Sequence, residues 1–362
     1  MKVVAITGMH RGENPQPGAA VAAALRRCRA DLRIVALSYD PLESGLYCTD
    51  GGAPDAAFLM PFPGAGPKVL AKRLEEILAR ERIDFIVPCL DSEIDNFIAI
   101  APWLKKRHGI GSLLPARRSF ELRGKAHIAG LCADLDISTP RTAAANDVET
   151  LLFHADAIGY PLYVKGRLYE AQLVHSASEL QAAFERIAGA WGGPVLAQEP
   201  ILGEEYDVVG LGDGRGGIIA SCSIRKMLRT AAGKGFAGVV MADPALDELA
   251  ARMVKRLRWR GPFELEFIKA PHRRRYALLE MNPRFPAWVD FPAQLGCNLP
   301  DRLLAGLLGT IPAPLRACRP GQMFIRHCID VVTDIGAFAE LVVTGERTGR
   351  ATGGIARTEV GR

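Results

Sequence analysis

The pattern of apolar segments changes character at Thr139-Pro140, and that break limits the chain to a composite fold. Before it, short apolar runs alternate with helix-like stretches: VVAIT (3–7), AAVAAALRR (19–27), RIVALS (33–38), a helical periodicity from Lys68 to Arg82, and FIVPC (85–89). A β-α-β-α-β order of this kind predicts a small parallel sheet of α/β type. After the break, YPLYVKG (160–166), QLVHS (172–176), PVLAQEPI (194–201), EYDVVGLGD (205–213) and GIIASCSI (217–224) all read as strands. ETLLFHADAIG and SELQAAFERIAGAW read as the helices among them, so this part is α+β. A helix over 244–258 follows, then FELEFIKA (263–270), the charged turn APHRRR and YALLEMN (276–282), predicted as an antiparallel pair. Past residue 300 the sequence predicts one helix, DRLLAGLLG, and one further strand in GQMFIRHCIDVV (321–332). The final dozen residues are small, polar and Gly-rich, as in a frayed end.

With 362 residues, 49% hydrophobic and 23% charged, the chain is long enough for two or three domains with real cores. The net charge of +5 is too mild for the dense basic stripe of a nucleic-acid binder, and it suits an anionic small ligand. Eight cysteines without a C-x-x-C pair predict free thiols and a cytoplasmic setting. The opening MKVVAITGMHRG lacks the long apolar core of a signal peptide, and no run reaches the ~18 apolar residues of a membrane span.

Ligands of parallel sheets sit beyond the strand C-termini, which puts Gly8, His10, Gly12, Asp91 and Glu93 near such an edge. TGMHRG spaces its glycines four apart and misses the dinucleotide fingerprint, so His10 and Arg11 read as a tight turn. Asp91-Ser92-Glu93 fits a helix N-terminus with acids in its first turn, and equally a substrate contact.

The densest chemistry lies on the predicted strand pair. Side chains two apart on a strand share a face, so Glu264 and Glu266 form one pair and Glu280 and Asn282 another. Carboxylates gathered on a half-buried face repel and lose hydration unless something compensates them. A divalent cation that prefers carboxylate and amide oxygens plus nucleotide phosphates is one solution. Arg284 would then stand beside a transferred phosphoryl group. The other solution is a solvated sheet face whose acids pair with Arg274 or Arg275. Lys165 ends the apolar strand GYPLYVK and suits a phosphate or a strand edge, while Lys125 lies in LRGKAHIAGLC. Glu199 and Glu205 flank a short turn in AQEPILGEEYDVV. Arg225, Lys226 and Arg229 read as contacts for an anionic substrate or as a solvated cationic strand end. TAAGKGFAG (230–238) reads as a second mobile loop.

Lys125, GYPLYVK, QEPILGEEYDV, FELEF and LLEMNPR stand in the order and spacing of the ATP-grasp superfamily. Over about residues 1–310 the chain resembles the synthetase units of the carbamoyl-phosphate synthase large chain and related carboxylate–amine ligases. The resemblance implies an N-terminal Rossmann-like pre-ATP-grasp domain (1–115), a small lid subdomain (116–195), a C-terminal subdomain with the adenine hinge and metal site (196–345) and a flexible tail (346–362). It implies ATP and Mg²⁺, or Mn²⁺, as cofactors. Lys125 and Lys165 would contact the α- and β-phosphates. Glu199, Pro200 and Ile201 would hold the adenine, and Glu205 the ribose hydroxyls. Glu266, Glu280 and Asn282 would ligate the metal, and Arg284 would act on the γ-phosphate, with Lys165 beside it. Glu264 has no matching role and would support its neighbours. In place of the family's glycine-rich flap, Lys165 is followed by GRLYEAQLVH, so the flap is short or replaced by side chains such as Arg167.

The implied activity is amide formation from a small-molecule or peptide carboxylate and an amine through an acyl phosphate, releasing ADP and phosphate. A homodimer is compatible with it. The missing flap motivates a non-catalytic nucleotide-binding or docking protein as an alternative. A dinucleotide-dependent oxidoreductase is a further one, without its fingerprint. Arg326, in mid-strand, would bind substrate or pair with an acid.

Overall fold

The computed structural model describes residues 1–125, 127–166, 170–231, 233–271, 275–310 and 314–351. The first third forms a parallel sheet of β1 (Val3–Thr7), β2 (Arg33–Ser38), β3 (Ala56–Leu59) and β4 (Phe85–Val87), in the order β3-β2-β1-β4. β1 is buried along its whole length because both faces are covered. Val4 and Ile6 join one core with helix Gly18–Cys28, whereas Val3 and Ala5 join another with helices Pro67–Leu78 and Ile94–His108. Gly18 starts its helix against the end of β1, where an added Cβ would lie 2.1 Å from the Thr7 carbonyl oxygen. β3 escaped the sequence analysis: AAFL is short, and its alanines match no strand pattern.

The middle of the chain folds as β5 (Thr142–Ala145), β6 (Leu162–Lys165), β7 (Ala171–Val174) and β8 (Val195–Gln198), an antiparallel sheet in the order β5-β8-β6-β7. Helices Val148–Ile158 and Ala177–Trp191 cover one face. Asp147 caps the first by accepting from Thr150 N, and Ser176 caps the second by accepting from Glu179 N. Among the described residues, the core of this unit draws on positions between Ala145 and Ala197 alone. Between β6 and β7, Gly166 N–H donates to Glu170 O at 3.1 Å. Arg167 lies outside the described residues.

The largest sheet contains β9 (Glu204–Asp213), β10 (Ile218–Arg229), β11 (Gly235–Val240), β12 (Arg260–Lys269), β13 (Ala277–Asn282) and β14 (Met323–Ile325). Its order is β13-β12-β9-β10-β11-β14, antiparallel throughout. One face packs on helix Pro244–Leu257, whose Leu246, Leu249, Ala250, Met253, Val254 and Leu257 follow a helical stripe. Asp243 starts that helix by accepting from Ala245 N. The opposite face changes along its length. Val209, Leu211, Cys222 and Ile224 merge with the core of the parallel sheet, and beyond them the same face turns acidic.

Several expectations are corrected. Residues 230–238 are not one mobile loop, because Gly235–Val240 is β11. Gly238 is there for packing: a Cβ would meet Ile224 and Phe324 side chains at 2.8 Å. Only Met323–Ile325 of 321–332 pairs as a strand, and a helix at Ile335–Thr344 was not anticipated. Residues 128–137, within the segment assigned from sequence to the lid, pack instead on the largest sheet. There Ile128, Leu131, Cys132 and Ile137 share a core with Trp259 and Leu265. The tail expected from 346 onward starts as a docked segment, with β15 (Glu346–Arg347) pairing antiparallel to β3. Arg347 is buried and donates to Leu46 O at 2.7 Å, which anchors it. Residues 352–362 lie outside the described residues. Among the described residues, no helix is long and apolar enough to cross a membrane.

Candidate active site

The antiparallel register brings the predicted acids together. Glu264 stands opposite Asn282, and Glu266 opposite Glu280. On the other side of β12, Glu266 stands opposite Asp207 of β9. Carboxylates from three adjacent strands therefore form a row on one face, and Glu205 lies two residues from Asp207 on that same face. Asn282 fills the space between them, its Nδ2 donating to Glu266 Oε1 at 2.9 Å and to Glu264 Oε2 at 3.1 Å.

Such a row is tolerable because cations close on it from every side. Lys125 Nζ lies 3.3 Å from Glu280 Oε2. Lys165, at the end of β6, faces Glu280 and Glu266 from the four-stranded sheet. Burial would push the Glu280 carboxyl up, but Lys125 and Lys165 overcome that and hold it well below the usual carboxylate range. Burial and the neighbouring Lys125 lower Lys165, against the pull of Glu280. Arg284 Nε donates to Asp91 Oδ2 at 2.8 Å and its NH1 to Glu264 Oε2 at 2.6 Å, so it ties the edge of the parallel sheet to the acidic row.

The deepest cation is Lys226, with a side chain only 2% exposed. Its Nζ lies 2.6 Å from Glu266 Oε2, 3.1 Å from Asp207 Oδ1 and 3.4 Å from Glu205 Oε2. Neither role expected for Lys226 holds, since it is neither solvated nor open to a substrate. Arg225 pairs with Glu204 at 2.6 Å, and Arg229 pairs with Glu205. Arg275 pairs with the exposed Asp136 rather than with the row, and Arg274 lies outside the described residues.

The hinge between β8 and β9 runs from Glu199 to Gly203. Glu199 is held by Arg141, whose backbone N and Nε both lie 3.1 Å from Glu199 Oε2. Pro200 offers only a carbonyl. Among the described residues the Ile201 backbone N–H donates to no acceptor. Glu205 is engaged by Arg229 and Lys226 rather than free.

Two of the residues near the parallel-sheet edge part company. Asp91 joins the row through Arg284, whereas Glu93 is fully buried and organises the edge itself. Glu93 accepts from the Thr7 and Tyr39 hydroxyls and from Cys89 N and Leu90 N, both at 2.9 Å. It caps no helix with its side chain. His10 N donates to Gln16 Oε1 and Arg11 pairs with Asp50, which is the turn read from the sequence.

Sequence reasoning missed Asp207 and Lys234. Asp207 carries a readable signal, lying two residues after Glu205 on one strand face. Lys234 Nζ donates to Pro15 O at 2.8 Å beside the Asp91–Arg284 pair. Burial, aided by Arg284, pushes its amine down to about 8. Its position follows from the β10–β11 turn, which glycines disguise.

No protein-family profile matches the chain. A carbamoyl phosphate synthase large chain of Beutenbergia cavernae is 28% identical over 282 residues, covering 70% of this chain and 24% of the relative. The chain thus spans about a quarter of the length of the curated relatives it matches. The biotin carboxylase domain of Hydrogenobacter thermophilus 2-oxoglutarate carboxylase, a dimer solved with MgADP, ADP and bicarbonate, superposes with a TM-score of 0.63. That match is 20% identical and covers 84% of this chain and 70% of the other. An L-amino acid ligase from Bacillus licheniformis superposes with a TM-score of 0.61 at 14% identity, covering 86% and 75%. The chain is an ATP-grasp protein in fold, similar in sequence to part of the carbamoyl phosphate synthase large chain.

Proposed function

We propose that the chain is an ATP-dependent carboxylate–amine ligase. The observation that carries this reading is the row Asp207, Glu266 and Glu280 on three adjacent strands, faced by Lys165 from a separate sheet and by Lys125. Between the two sheets the site combines cation-seeking and phosphate-seeking groups, as a metal-bound triphosphate requires.

The donor set fits Mg²⁺ or Mn²⁺ in part. Among the described residues no three His, Cys, Asp or Glu side chains form a complete metal cage. A magnesium–nucleotide site needs only one or two carboxylates, with phosphates and water completing the shell. Glu280 is the best placed, since it is held ionised and its side chain is 31% exposed. Asn282 and Glu266 would complete the protein's share, Glu266 less freely because Lys226 already engages it. When bound, the cation supplies neutralisation of charge spread over phosphate oxygens.

Lys125 and Lys165 would meet the α- and β-phosphates, and Ile201 N–H with the Pro200 carbonyl and Glu199 the adenine edge. Glu205 would turn from Arg229 to the ribose hydroxyls. Arg284 would leave Glu264 for the oxygens of the transferred group, with Asp91, to which its Nε donates, keeping it oriented. A substrate carboxylate oxygen attacks the γ-phosphorus of ATP, the bond to the β-phosphate breaks with ADP leaving, and an acyl phosphate forms. An amine then attacks the acyl carbon and phosphate departs. The work of the chain is positioning and charge stabilisation, and no side-chain nucleophile is needed. The four-stranded unit, with its separate core, acts as the lid over residues 142–198.

The partners are a small-molecule or peptide carboxylate and an amine, and sedimentation would decide between one chain and a homodimer. The eight cysteines are all free, which favours a reducing compartment such as the cytoplasm. A nucleotide-binding protein without turnover is the second reading, favoured by Arg284 and Lys226 already neutralising Glu264 and Glu266. A phosphate-release screen over pairs of acids and amines separates the two. Release that requires both an acid and an amine supports the ligase, and ATP binding with no release for any pair supports the alternative.

A further inference from the structure

We propose that the pocket beside Arg326 binds a carboxylate or phosphate group of the substrate, at the end remote from its reacting group. This rests on the ligase reading and narrows its substrate to an anionic one. The pocket has a volume of ≈ 570 Å³, inside the range of about 300–1,000 Å³ typical of small-molecule sites. It adjoins the acidic row without belonging to it. Ala287, in its wall, follows three residues after Arg284, and Pro15, also in its wall, accepts the Lys234 hydrogen bond.

Its lining splits into an apolar floor and a charged rim. Ala19, Ala20 and Ala23 of helix Gly18–Cys28 are small and leave room for a short apolar body. The rim holds four arginines, Arg11, Arg26, Arg27 and Arg326, against two acids, Asp50 and Asp290. Three of the arginines have carboxylate partners: Arg11 with Asp50 at 2.5 Å, Arg27 with Asp290 at 2.8 Å and Arg26 with Asp55 at 2.6 Å. Arg326 has none among the described residues. Its NH2 donates to Ala287 O at 3.1 Å, and its Nε is buried without an acceptor.

A guanidinium cannot shed its charge by losing a proton. Placing one in a half-buried wall with a donor unmet is costly unless an anion arrives to take it. The planar fork suits a carboxylate or a phosphate, both of which accept paired N–H bonds. The positive excess of the rim sets the same preference over neutral or cationic ligands.

The test is calorimetric titration of the full chain with succinate and with glycerol 3-phosphate, with and without AMP-PNP and Mg²⁺. Saturable binding of one or both is expected, and which probe binds tells a carboxylate-bearing from a phosphate-bearing substrate. Arg326→Gln should weaken that binding by about tenfold or more, the loss of one charge-assisted contact. Ala20→Leu, which fills the floor without touching charge, should do the same and carries the test if Arg326→Gln does not fold. Neither should alter AMP-PNP affinity. Failure of both probes to bind saturably, or equal binding by the wild type and both variants, would overturn the proposal. If AMP-PNP does not bind while probe binding still depends on Arg326, the ligase reading falls and the anion site stands.

Discussion

Replacing Lys226 by Met should destabilise the protein by an amount set mainly by one neighbour, Asp207. Glu266 would keep Asn282 and Glu205 would keep Arg229, so both retain a partner. Asp207 is 1% exposed, its oxygens accept no hydrogen bond, and Lys226 is its only counter-ion among the described residues. Burial already pushes its carboxyl upward, and without Lys226 it would take up a proton. Breaking a buried ion pair by removing one partner costs about 3 kcal/mol or more, so a loss of roughly that size is expected at pH 7, and it shrinks on acidification because a protonated Asp207 leaves no charge uncompensated. Lys226→Met with Asp207→Asn should recover most of the loss, because no charge is left behind. Urea unfolding followed by Trp259, fully buried in the core beneath this sheet, gives the free energies. A loss below about 1 kcal/mol at pH 7, or one that grows on acidification, would refute the reasoning.

Three other outcomes follow from the same geometry. Glu280→Gln or Asn282→Ala should abolish ATP turnover and leave the fold intact, and steady-state phosphate release with circular dichroism checks both halves. Burial pushes the Glu93 carboxyl up to about 7 despite its four donors. The folded protein thus keeps a proton that the unfolded chain loses, so this group's contribution declines by about 3 kcal/mol as pH rises from 4.5 to 7. Glu93→Gln should remove that decline, and matching pH slopes of unfolding free energy in both proteins would count against it. Arg141→Ala should remove the guanidinium contact to Glu199 while keeping the backbone one, and should weaken AMP-PNP binding with little effect on stability, since Arg141 is exposed.

The strand pair was legible because charge alternates with apolar residues in FELEF and LLEMN, and a period of two fixes which side chains share a face. Asp207 was missed and Lys226 misread because their meaning depends on β9 pairing with both β12 and β10. Only that register sets Lys226 among acids. Nothing local distinguishes a buried lysine in SIRKMLR from a solvated one. Glycine content misled at β11, where Gly238 answers to the side chains of Ile224 and Phe324 and not to flexibility. Boundaries failed where apolar residues choose a distant sheet: Ile128 and Leu131 sit close in sequence to the lid and pack against Trp259 instead. The docking of Arg347 onto Leu46 is likewise a contact across the whole chain that no local pattern announces.

The central claim is that the acidic row and the two lysines above it hold a metal-bound triphosphate between two sheets. Calorimetric titration of AMP-PNP into the wild type and into Lys165→Met, each with and without Mg²⁺, tests it most directly. Binding that requires Mg²⁺ and weakens by about tenfold or more in Lys165→Met is the predicted result. Absence of binding, or binding indifferent to both the metal and Lys165, would contradict it.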